Sequence, residues 1–119
     1  AFGTAKVLDT WDTSKTLGVK YLITARPQAK NDRMIADVLV TCGEGSDSFN
    51  QPSILESRSH TSNYHSSIPN YLGNAHINIA ATQSGGTVSL TMAIGDGFVA
   101  ECSNRQLTVK IHRIEIINA

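Results

Sequence analysis

His60 and His65 stand five positions apart in this 119-residue chain, with Tyr64 beside the second. A protein metal centre needs three or four ligands in fixed geometry. No cysteine or second histidine pair lies nearby in sequence, so this pair reads as polar loop residues. His76 and His112 interrupt apolar runs at alternate positions and read as surface groups on strands. Glu44 and Asp47 in "GEGSDS", and Asp96 in "GDG", are the best carboxylates for a hard cation. A calcium loop needs oxygen ligands at several alternate positions, so both stretches read as turns, with at most a weak cation at the first. Serine is plentiful, but no G-x-S-x-G elbow occurs and no glycine-rich loop opens a helix. Glu56 and Glu101 have no partner visible in sequence. The expectation is a protein without catalytic residues, metal or cofactor.

Aromatic rings offer a different chemistry. Trp11, Tyr64 and Tyr71 could form a platform for sugar C–H faces, which makes a carbohydrate- or receptor-binding module the alternative. Trp11 stands before "DTSK", a turn. Its ring is therefore expected to close one end of a core, with its N–H bonded to an acceptor in that turn.

Composition narrows the classes further. Ten Lys and Arg balance ten Asp and Glu, so the chain lacks the net positive charge usual in nucleic-acid-binding domains. Charged residues are 17% of the chain, and Ser, Thr and Asn supply much of the remaining polarity. That mixture suits exposed sheet faces and turns. No apolar run approaches the ~20 residues that span a bilayer, and no signal peptide is visible. Cys42 and Cys102 could pair, but each ends an apolar run and reads as a buried free thiol.

The elements that must position these groups are strands. "TVSLTMAI" puts Val88, Leu90, Met92 and Ile94 on one face against Thr87, Ser89, Thr91 and Ala93 on the other. "VKYLITAR", "RMIADVLVTC" and "HINIAA" alternate in the same way, as half-buried antiparallel strands do. Turn formers punctuate the chain at "DTSK", "PQAKND", "GEGSDS", "QSGG", "GDG" and "SNR". "PSILESRSH" reads as a strand, followed by a polar loop to about residue 71, and no window has a helical period. The run "QLTVKIHRIEII" changes phase between Ile111 and Ile114. A bulge near His112 or Arg113 would restore its parity; otherwise its distal half faces a neighbouring subunit. The expected fold is all-β: one domain over residues 1–119, an antiparallel, jelly-roll-like sandwich of about seven or eight strands.

The succession "TWDTSKTLGVKYLI", "ADVLVTCGEGSDSF", "LGNAHINI", "GTVSLTMA" and "LTVKIHRIEI" resembles a small β-sandwich domain, often repeated, of structural proteins in large tailed bacteriophages. The chain departs from that family in its 56–71 loop and in having Cys42 and Cys102. The resemblance implies a virion component: a capsid decoration or cement protein, or a neck, baseplate, tail or fibre part. It carries no catalytic residues. Independently, Leu22, Ile35 and Leu39 lie opposite the main apolar faces of their strands, and Ile114 and Ile116 lie past the phase change. A two-layer sandwich buries one face per sheet. These five residues are therefore expected at an interface with further copies of the chain or with another subunit, and the resemblance implies a larger virion shell or tail protein as that partner.

Overall fold

The computed structural model describes residues 1–28, 30–62, 66–103 and 106–118. The strands are β1 (Lys6–Asp12), β2 (Thr16–Pro27), β3 (Met34–Thr41), β4 (Ser53–His60), β5 (Ile77–Ser84), β6 (Thr87–Ile94) and β7 (Leu107–Ile117), with one short helix, α1 (Asp96–Glu101), before the last. They form two antiparallel sheets, β1-β6-β5 and β4-β3-β2-β7, so the chain folds as a β-sandwich, with seven strands among the described residues. Its connectivity is a β2–β3–β4 meander and a β5–β6 hairpin, with the chain crossing between sheets after β1, β4 and β6. This is simpler than the two Greek keys of a jelly roll.

Each strand forms where alternation and turn chemistry agree. The "QSGG" stretch closes β5 onto β6 with Ser84 opposite Thr87 and both intervening glycines at positive φ (61° and 84°). That is the two-residue turn whose twist matches its strands. The core lies between the sheets. Val19, Tyr21, Ile23 and Ala25 of β2 and Met34, Ala36, Val38 and Val40 of β3 meet Ile77, Ile79, Val88, Leu90 and Met92 from the other sheet. Cys42 and Cys102 are buried free thiols.

Two expectations are corrected. "GDG" is not a hairpin turn: Gly95 bridges to Phe2, and α1 follows, burying Phe98 against Tyr71 with ring centroids 6.2 Å apart. A helix of six residues is too short to show a period, so the pattern could not reveal it. Nor does β7 carry a bulge. Its pairing with β2 runs unbroken from Gly18↔Ile116 to Pro27↔Leu107, and the one irregularity lies on the β2 side, between Thr16 and Gly18. Strict alternation holds, and Arg113 does point inward. Its charge is met at the rim by Asp9 of β1 (3.5 Å) and by Glu115 (2.7 Å).

Candidate assembly surface

The outer face of the four-stranded sheet follows from its register. Leu55 lies opposite Leu39, and Leu39 opposite Lys20, which faces Ile114. The next rows place Asp37 beside Leu22 and His112, and Ile35 beside Thr24 and Lys110. Ile116 sits beside Gly18 at the end. All five residues expected at an interface, Leu22, Ile35, Leu39, Ile114 and Ile116, are exposed on this face. Sequence reasoning missed Leu55, which is 71% exposed. Its strand was legible, but Ile54 and Leu55 are adjacent, and only the pairing with β3 decides which of them faces out.

Trp11 and Tyr71 do not present the platform that the alternative reading needs. Trp11 and Tyr71 are buried, and Tyr64 lies outside the described residues. Trp11 packs within the core, as its place before the turn suggested, but the turn supplies no acceptor. Its Nε1 is buried without a partner at hydrogen-bonding geometry among the described residues, although the Tyr21 hydroxyl nearby feels its polarity. Tyr71 is held because its hydroxyl donates to the buried Asp32 carboxylate, which also accepts from Thr61 Oγ1 at 3.1 Å.

The ionisable groups of the interior serve to fasten loops. Arg58, on the inner face of β4, bonds Glu56 and donates through Nη1 to the carbonyls of Leu72 (3.0 Å) and Ile77 (2.9 Å). It thereby ties the segment before β5 to β4. Glu101 accepts from Ser67 Oγ at 2.8 Å and lies 3.7 Å from Lys30. The Ser67 bond, more than the Lys30 charge, holds its carboxyl below the usual range. Tyr21 donates to Asp9 at 2.8 Å. Burial first, and this bond second, push its phenol well above the usual value, and Tyr71 is raised for the same two reasons with Asp32 as acceptor. No group of three or more His, Cys, Asp or Glu side chains capable of holding a metal ion occurs among the described residues. No helix of the described residues is long and apolar enough to cross a membrane.

Two concavities lie beside these sheets. An apolar groove of about 700 Å³ opens at the side of the sandwich where β1 and β7 are the edges, lined by Leu8, Met92, Ile94, Val99, Leu107 and Val109. A smaller one of about 390 Å³ lies at the β2–β3–β7 end, rimmed by Arg26, Arg33 and Lys110. No known protein family matches the chain, and neither does any curated protein or solved structure.

Proposed function

We propose that this chain is a non-enzymatic structural subunit of a virion, a capsid decoration or cement protein or a component of a tail, neck or fibre. It works by packing the outer face of β4-β3-β2-β7 against copies of itself and against a larger shell or tail protein. The observation that carries this is that face: each of its strands exposes leucine or isoleucine on it, Leu55 directly opposite Leu39 and the others interspersed with a few charged and polar side chains. Sizeable exposed apolar patches mark interaction sites more often than they mark ordinary surface. The mixed charges among them, Lys20, Asp37 and Lys110, keep the free subunit soluble while leaving the patch available. The virion setting rests on the resemblance to phage sandwich domains. The sugar-binding alternative loses its support, because Trp11 and Tyr71 present no ring to solvent.

Mass spectrometry of purified particles from the source of the gene tests the setting. The chain is expected in fixed multiple copies per particle. Its absence from particles would overturn the virion role.

A further inference from the structure

We infer that the free edge of β7 is a self-complementary docking edge, which pairs antiparallel with β7 of a second copy about a two-fold axis at Ile114. This rests on the assembly reading above and specifies one of its contacts. Among the described residues, β7 pairs only with β2, leaving an eleven-residue strand with one open side. Such an edge is a template for another strand unless it is guarded. On the same side of the sandwich, the edge strand β1 of the other sheet is guarded by a register shift between Val7 and Asp9. β7 has none.

The hydrogen-bonding direction of β7 is fixed at both ends. The Gln106 carbonyl accepts from the Gln28 N–H (3.1 Å), and the Asn118 N–H donates to the Lys15 carbonyl (3.0 Å). Even-numbered positions therefore aim their main-chain groups at β2. By the two-residue period, Ile111, Arg113, Glu115 and Ile117 aim theirs at the open side.

A symmetric antiparallel pair keeps like faces together, so the register must set each residue opposite one of the same parity. Centring on Ile114 sets Arg113 opposite Glu115 of the second copy, twice. It also sets Ile111 opposite Ile117 and His112 opposite Ile116. The Arg113–Glu115 and Ile111–Ile117 pairs then exchange main-chain hydrogen bonds, and the two Ile114 side chains meet at the closer, non-hydrogen-bonded spacing. A centre one step either way is worse: at Arg113 or Glu115, like charges would face each other across the axis. An inward charge often guards an edge. Here Arg113 is already neutralised by Asp9 and Glu115, so the guard is cancelled. Ile114 and Ile117 are 61% and 65% exposed in the single chain, and both gain an apolar neighbour in the pair.

The test is Ile114→Cys in the full chain under mild oxidation, with sedimentation equilibrium on the reduced protein. The two introduced thiols would lie across the axis at the ~4.5 Å Cα spacing of a non-hydrogen-bonded pair, within disulfide reach. A disulfide-linked dimer is expected. Wild type, whose Cys42 and Cys102 are buried, and Thr108→Cys, exposed on the same face of β7, should not cross-link. Ile114→Lys should raise the dimer dissociation constant by roughly tenfold or more, through like charges across the axis and lost apolar contact, with an unchanged circular dichroism spectrum. Equal cross-linking of the Thr108→Cys and Ile114→Cys variants, or a monomeric wild type at millimolar concentration, would overturn the inference. If oligomers form but Ile114→Cys does not cross-link, the edge pairing fails and the assembly role stands. If Ile114→Cys cross-links but particles lack the chain, the edge pairing stands and the virion role fails.

Discussion

Leu90, Arg58, Tyr21 and Tyr71 show what single residues contribute. Leu90 is fully buried between the sheets. Leu90→Ala should cost roughly 2–5 kcal/mol in urea unfolding, and a loss below about half a kilocalorie would put it outside the core. Arg58 is an internal fastener whose side chain is 2% exposed. Arg58→Ala removes the charged partner of Glu56, which keeps only Asn74 Nδ2, and the side-chain donor of two carbonyls, and should cost on the order of 3–5 kcal/mol, as breaking a buried ion pair does. The tyrosines predict an alkaline limit. Burial and a carboxylate acceptor raise both phenols in the folded chain, so their contribution is fully present below the unfolded value near 10 and is lost as pH rises beyond it. Burial raises the Cys42 and Cys102 thiols as well, which opens that window near 9. Absorbance at 295 nm should show Tyr21 and Tyr71 ionising only as the fold is lost. Glu101 acts in the opposite sense. Its depressed folded value gives stability above the ordinary 4.5 that disappears as pH falls through the folded value. The thermal midpoint should therefore fall on acidification, and Glu101→Gln should flatten that fall.

At the scale of the element, alternation was legible wherever one face is buried. β2, β3 and β6 put inward the residues their spacing assigned. β7 was read less well, and the reason is specific. Arg113 looks like an error of phase until Asp9, 104 positions away, is seen to meet it. No local pattern contains that partner. The same holds for Tyr71, whose loop has no period and whose acceptor Asp32 is 39 positions distant. The assembly face was partly legible, because Leu22, Ile35 and Leu39 break the polar side of otherwise regular strands; Leu55 needed the β3–β4 register. Gly18 sits beside the irregularity of β2, where a Cβ would meet the Val40 carbonyl oxygen at 2.7 Å. Gly18→Ala must push two strands apart and should cost about 1–3 kcal/mol, measured as a lower urea midpoint.

The whole molecule is elongated, 49 × 25 × 18 Å, with one broad sheet face carrying exposed aliphatic side chains. A thin two-layer sandwich of this kind has little interior in which to hide them. The central claim is that this face exists to be covered. Leu39 sits near its middle and is 42% exposed in the single chain, so Leu39→Glu should leave folding intact while placing a charge in the contact. Sedimentation equilibrium of wild type and Leu39→Glu over a range of concentrations tests this most directly. Wild type is expected to associate beyond the edge-paired dimer as concentration rises, and Leu39→Glu, with an unchanged circular dichroism spectrum, to stop at that dimer. Wild type and variant associating equally would contradict the claim.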